Sequence, residues 1–128
     1  MLAAVDIEYE LEKRLNADGY NASATPLPRD YGDRLPFVLV SRTGGDRHSL
    51  VVDRHRVSVD VYGKRWASAT ATANELAGHI ASMAGTYVGD AWCCKSEVAT
   101  LPYNNPDPSN QEHPRVTFLV ELTVKAIT

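Results

Sequence analysis

The stretch PRVTFLVELTVKAIT, residues 114–128, alternates apolar and polar side chains more regularly than the rest of the chain. A period of two places successive side chains on opposite faces, which is the pattern of a half-buried β-strand. The stretch therefore predicts a strand over Arg115–Lys125 with one face turned to a core. The inward side chains would be Val116, Phe118, Val120, Leu122 and Val124, and the outward ones Thr117, Glu121, Thr123 and Lys125.

The segment just before this strand has the opposite character. Residues 102–114 are interrupted by prolines, rich in amide side chains and almost free of apolar ones. Connections of this length without periodicity are uncommon in compact domains, and they are usually functional or disordered. We therefore predict a long polar loop over residues 102–114.

Two other segments follow the period of a helix. In residues 2–16 the apolar side chains of Ala4, Ile7, Leu11 and Leu15 form one stripe, and Gly19 stands where a helix cap belongs. In residues 66–84 the apolar positions are spaced by three and four, and small residues fill the rest. Both segments predict helices that lie on a sheet.

Four more segments predict strands, over residues 20–24, 36–42, 50–63 and 91–98. In residues 36–42 both alternating sets are apolar, which indicates burial on both faces. The Gly-Gly segment between the second and third of these strands predicts a flexible break in an antiparallel hairpin. We therefore expect an α+β fold of order α-β-β-β-α-β-β. Its mostly antiparallel sheet would have four or five strands with two helices on one face, in a single domain over residues 1–128.

Composition restricts the class of protein. The chain has 128 residues, 44% hydrophobic and 23% charged, with a net charge of −3. Such a charge gives no general attraction to nucleic acid or to an anionic membrane. The start of the chain is too acidic for a signal peptide, and no apolar run is long enough to span a bilayer. We expect a soluble protein that is made in a cytoplasm and has no membrane partner.

No combination of residues predicts chemistry. The repeated Asp-Arg-His of DRHSLVVDRH (residues 46–55) is more typical of a solvated hairpin than of a metal site, because no metal or phosphate motif accompanies it. The adjacent Cys93 and Cys94 predict reduced structural thiols, one of them packed inward. Asp60, Lys95 and Glu97 match no nuclease motif. We therefore predict no catalytic residue, no metal and no cofactor.

At the level of whole segments the chain resembles a known family. The matching features are LPFV opening a strand, a Gly-Gly turn before the valine-rich VSVDVYG, an alanine-rich helix containing ANELA, and a Pro-Asp-Pro loop leading into PRVTFLVELTV. In their order and spacing they resemble the tail-terminator proteins of long-tailed bacteriophages, especially those that infect actinobacteria. The likeness covers most of the chain from Leu35 onward.

The resemblance implies a structural virion protein without catalysis. Such proteins form a ring, typically a homohexamer, on the last disc of the tail tube. They end tube polymerisation and present the surface that joins the head connector. The expected partners are further copies of the chain, the tail tube protein and a connector or neck protein, with DNA passing non-specifically nearby. The expected location is the virion neck, after assembly in the host cytoplasm.

Two irregular arms are then the candidate contact surfaces, over residues 43–49 and 103–113, and we expect both to be mobile until a neighbour orders them. On the hairpin, Arg42, Arg47 and Arg54 would face an acidic neighbour or the DNA path, although nearby aspartates largely cancel their charge. In the loop the candidates are Asn104, Asn105, Asp107 and Gln111. Two alternatives stay open: another neck or head-completion protein, and a small phage or bacterial hydrolase or nuclease.

Overall fold

The strand over Arg115–Lys125 lies in the middle of the sheet in the computed structural model, which describes residues 3–126. The elements in chain order are α1 (Ile7–Ala17), β1 (Asn21–Ala24), β2 (Phe37–Arg47), β3 (Val52–Tyr62), α2 (Trp66–Ala81), β4 (Thr86–Val88), β5 (Ala91–Asn104) and β6 (Arg115–Lys125). The sheet order is β1-β2-β3-β6-β5-β4. The α+β class and the mostly antiparallel pairing are thus confirmed.

The number and direction of strands need correction. The sheet has six strands instead of four or five, because Thr86–Val88 adds the short edge strand β4 beside Ala91–Cys93. It is also mixed, since β1 runs parallel to β2. The helix limits differ as well. Helix α1 begins after the N-cap Asp6, so residues 3–6 are not helical and residue 2 lies outside the described residues, and α2 ends at Ala81.

Both helices pack on one face of the sheet, as predicted. Their buried side chains meet the inward residues of β3 and β6 in one core, among them Leu11, Leu76, Val59 and Phe118. Helix α1 contacts β1 and β2 and also β4 at the far edge. Its Arg14 donates to Thr86 Oγ1 (3.1 Å) and to the carbonyl of Tyr87 (2.7 Å). One helix reaches both edges because the sheet curls into a half-barrel.

The opposite face of the sheet is covered at one end only. Phe37, Leu39 and Tyr62 form a second buried cluster with Tyr31, which comes from the short 3₁₀ turn Tyr31–Asp33. All four residues from Phe37 to Val40 are buried, so the prediction that this strand is covered on both faces is confirmed. No helix lies over the rest of this outer face in the described part of the chain.

The hairpin differs from its prediction. The Gly-Gly segment is not a loop, because β2 continues through it to Arg47 with a bulge between Arg42 and Gly44. Gly45 has a φ of +146°, and a Cβ there would collide with the carbonyl oxygen of Arg54. The hairpin is also not solvated throughout, since Asp53 and His55 are buried on the inward face of β3.

Strand β5 is longer than predicted and takes up the start of the expected loop. It runs to Asn104 with three irregularities in its pairing to β6, so the loop itself covers residues 105–114. Cys93 is buried and Cys94 is exposed, and both are free thiols. The prediction of reduced cysteines with one packed inward is confirmed.

Candidate functional site

The loop of residues 105–114, here called the loop arm, is organised around one carboxylate. Asp107 is only 9% exposed. Its Oδ1 accepts from the backbone N–H of Ser109 (2.9 Å), and its Oδ2 accepts from the hydroxyl of Tyr62 (3.0 Å) and from Asn110 Nδ2 (3.3 Å). Burial alone would raise the pKa of Asp107, but these three hydrogen bonds and the charge of Arg115 lower it. The ionised carboxylate therefore fastens the loop arm to β3.

A second set of polar contacts fixes the base of the loop arm. Arg115 donates from Nε to the carbonyl of Asn105 (2.7 Å), and Asn105 donates from Nδ2 to Thr117 Oγ1 (3.1 Å). The Thr117 hydroxyl in turn donates to Asp60 Oδ1 (2.6 Å). Burial raises the pKa of Asp60, and the bond from Thr117 opposes this rise only in part. The outer face of β3 and β6 thus forms a polar platform beneath the loop arm.

The far end of the loop arm rests on an aromatic side chain. The ring of His113 meets the ring of Tyr31 edge-on, with centroids 5.4 Å apart. It also lies so close to Gly32 that an added Cβ would stand 3.0 Å from Nε2. Beside this contact an open cleft of about 380 Å³ separates the loop arm from Lys64 and Trp66. The arm is consequently anchored at both ends and exposed in its middle.

The four residues predicted from the loop divide into two pairs. Asn105 and Asp107 turn inward and hold the arm in place, so their polar atoms are engaged within the chain. Asn104, at the end of β5, and Gln111, at the edge of the cleft, are exposed. The arm as a whole carries several exposed side chains that a partner could reach: Pro106, Pro108, Ser109, Gln111 and Glu112.

The hairpin arm, residues 41–57, brings its arginines together with acceptors of its own. Arg47 holds Asp53 through two hydrogen bonds of 2.6 and 2.9 Å, and Arg54 holds Asp46 through two of 2.9 and 2.7 Å. The expected cancellation of charge is thus present in these two ion pairs. Arg42 instead donates from Nε to Nδ1 of His55 (2.9 Å).

The two arms lie at opposite ends of the same strands. Tyr62 of β3 pairs with Arg115 beside the loop arm, and Val52 at the other end of β3 pairs with Lys125 beside the hairpin turn, residues 48–51. The eleven residues of β3 span about 33 Å at the usual rise per residue. The hairpin turn exposes two apolar side chains, Leu50 (87%) and Val51 (49%). The loop arm exposes prolines and polar groups.

Within residues 3–126 no cluster of three or more His, Cys, Asp and Glu side chains could hold a metal ion. Lys95 pairs with Glu97 (2.9 Å), whereas Asp60 bonds to Thr117, so the sheet does not bring the three together. Burial raises the pKa of the Cys93 thiol, which keeps it from forming a reactive thiolate.

Sequence reasoning missed the platform beneath the loop arm and the burial of His55. Asp60 and Tyr62 occupy the outward positions of VSVDVYG, and Thr117 and Arg115 the outward positions of the final strand. Once β3 is paired with β6, the alternation alone places these side chains on one face. No comparable signal in the sequence points to the contact between Asp107 and Tyr62, because the two residues are far apart in the chain.

Comparison with known proteins adds no family. The chain matches no protein-family model, and a search of curated proteins gives no significant match. Within residues 3–126 no helix is both long and apolar enough to cross a membrane.

Proposed function

We propose that this chain is a tail terminator of a long-tailed bacteriophage. It would form a homohexameric ring that caps the tail tube, stops tube polymerisation and offers the surface to which the head connector or neck protein docks. The order and spacing of motifs described above support the family. The observation that carries the role is the presence of two unlike exposed surfaces, the loop arm and the hairpin turn, at opposite ends of one strand pair.

A terminator ring needs two different axial faces, one for the tube and one for the head. In this chain the loop arm presents prolines and polar groups about one strand length from the apolar tip formed by Leu50 and Val51. Copies in a ring share one orientation along its axis, so in a ring whose axis runs along β3 and β6 all loop arms would lie on one rim and all hairpin turns on the other. Such a ring has the required polarity without any further domain.

The proposal assigns partner contacts to side chains left exposed by the fold. In the loop arm these are Gln111 and its exposed neighbours, with Asn104 at the adjoining strand end. On the hairpin arm Arg42, Arg47 and Arg54 would face an acidic neighbour or the DNA path, although two of them already bind aspartates of their own.

The decisive experiment interrupts the gene in the genome that encodes the chain and images the particles by electron microscopy. Loss of a terminator should give tubes of uncontrolled length that carry no heads. Loss of another neck or head-completion protein should instead leave tails of normal length beside unjoined heads. Virions of normal form would overturn both structural roles and return attention to an enzyme.

Complementation tests the loop arm. The variant Ser109→Lys/Gln111→Lys adds two charges to its exposed surface, and Ala71→Lys/Ala81→Lys adds two to the exposed face of α2. We expect the first variant to stay folded and fail to restore joined particles, and the second to restore them. Native mass spectrometry of rings released from the tubes should give about 84 kDa, six times the 14.0 kDa subunit. Equal complementation by both variants would exclude the loop arm as the docking surface.

A further inference from the structure

Strand β2 consists of two halves that are held in different ways. Its first four residues, Phe37–Val40, are all buried, and they pair with β1 on the side of β2 that faces away from β3. From Ser41 to Arg47 no residue is buried, and β1 no longer accompanies the strand. A segment without buried apolar side chains belongs to the part of a protein that opens most easily. We call residues 41–47 the distal segment.

The distal half of β2 is tied to β3 by arginines that reach two buried acceptors. Arg47 binds the carboxylate of Asp53, and Arg42 binds the imidazole of His55. His55 is fully buried. Because its Nδ1 accepts the hydrogen bond from Arg42, the ring proton must lie on Nε2, which has no hydrogen-bond partner among the described residues. The contact thus requires neutral imidazole.

Burial and the charge of Arg42 disfavour the protonation of His55. Two charged side chains act on the ring: Arg42 from the neighbouring strand β2, and Asp53 from β3 itself. The carboxylate of Asp53 is already bound by Arg47. From β6 the opposite residue is the apolar Leu122. From α1, Glu8 is engaged with the backbone N–H of Arg42 (2.8 Å). Burial, followed by the charge of Arg42, lowers the pKa of His55, and Asp53 opposes them.

We propose that His55 is a proton-controlled latch for the distal segment. A proton on Nδ1 removes the acceptor for Arg42 and sets an imidazolium against a guanidinium inside the protein. Both effects are relieved when the distal segment and the hairpin turn separate from β3, which lets water reach the ring. The bulge between Arg42 and Gly44 leaves Thr43 without a partner in the ladder to β3, which weakens the pairing that holds this segment closed. The latch does not depend on the proposed function.

Hydrogen exchange followed by NMR from pH 7.5 to pH 5 tests the latch on the intact chain. Protection factors, which are corrected for the intrinsic pH dependence of exchange, should be lower for residues 43–47 and 53–56 than for the centre of β6. They should fall by up to tenfold per pH unit once the pH drops below about 6.5, the ordinary pKa of histidine, because opening then takes up one proton. The imidazole signals of His55 should titrate only below this pH, because the pKa of the ring is lowered in the closed form.

Two substitutions separate the latch from general acid sensitivity. His55→Asn keeps an acceptor near the position of Nδ1 but cannot be protonated, so the distal amides should become insensitive to pH. His79→Asn changes a histidine that contacts Asp18 on the helical side (2.6 Å) and should behave like the wild type. Should His55→Asn fail to fold, the wild type alone decides: protection of the distal amides should fall below about pH 6.5 while that of the centre of β6 stays constant. Distal protection that does not vary with pH, or that varies equally in His55→Asn, would overturn the proposal.

Discussion

Replacing Asp107 with alanine should loosen the loop arm at a cost that the structure allows us to size. The substitution removes the acceptor of three hydrogen bonds, from Ser109, Tyr62 and Asn110. Hydrogen bonds to a charged group contribute about 1.5–3 kcal/mol each, but bonds that share one acceptor do not add. The hydroxyl of Tyr62 is also left without this partner. We expect the free energy of unfolding to fall by about 3 kcal/mol, which lowers Tm by roughly 10 °C for a domain of this size.

The assay is chemical denaturation at pH 7 with two companion variants. Glu112→Ala changes a side chain of the same arm that is 90% exposed, and it should shift stability by less than about 0.5 kcal/mol. Tyr62→Phe removes one donor to Asp107 and should cost about 1 kcal/mol. The double variant should lose less than the sum of the single losses, because the two groups share a bond. Equal stability of Asp107→Ala and Glu112→Ala would refute the anchoring role of Asp107.

The pH dependence gives an independent check. The pKa of Asp107 lies below its usual value of 3.8 in the folded chain, so the unfolded chain takes up this proton first as the pH falls. The contribution of the carboxylate is therefore complete above about pH 4 and is lost below it, as the pH passes through the lowered pKa. The gap in stability between the wild type and Asp107→Ala should be constant from pH 7 to pH 5 and narrow below pH 4.

Three further substitutions probe other parts of the chain. Gly45→Ala should destabilise the protein by about 3 kcal/mol or more, because the added Cβ would collide with the carbonyl of Arg54 and the φ of residue 45 is unfavourable for alanine. Chemical denaturation measures this loss, and a variant as stable as the wild type would contradict the close approach of the two strands. Phe118→Ala should cost about 4 kcal/mol by opening a cavity in the core, measured in the same way. Leu50→Ser should leave stability within about 0.5 kcal/mol because the side chain is 87% exposed, and in complementation it should weaken joining if the hairpin turn docks a partner.

The regular elements could be predicted because each carries its own periodic pattern. Strand β6 alternates over its whole length, β3 alternates from Val57 to Val61, and α2 keeps three- and four-residue spacing through Ile80, so one-dimensional reasoning finds them. Strand β4 escapes the same reasoning, since the three residues of Thr86–Val88 are too few to show a period. It becomes a strand through its pairing with the start of β5. The parallel direction of β1 likewise depends on where α1 places it.

The polar contacts were harder to predict for a different reason. Asp53 and His55 continue the inward stripe of Val57, Val59 and Val61, so alternation alone would have placed them inside. Their charge and polarity favoured a solvated hairpin instead, because buried polar groups are costly without partners. The partners are arginines of β2, and only the register of the hairpin brings them within reach. In the loop arm the sequence predicted irregular structure but not the anchor that gives it one shape.

The structure thus places apolar packing at the middle of the sheet and polar fastening at its two ends. An apolar core tolerates small shifts, whereas a buried carboxylate or imidazole requires its partner at one distance and direction. The contacts of Asp107 therefore favour one shape of the loop arm before any partner binds, whereas the sequence predicts an arm that orders only on assembly. The hairpin arm has the same kind of fastening through His55, but neutral imidazole can be lost by protonation within a mild pH range, while the carboxylate of Asp107 stays charged. If both arms serve docking, the end of the ring formed by the loop arms should keep its shape from pH 7 to pH 5, and only the end formed by the hairpin turns should respond to acid.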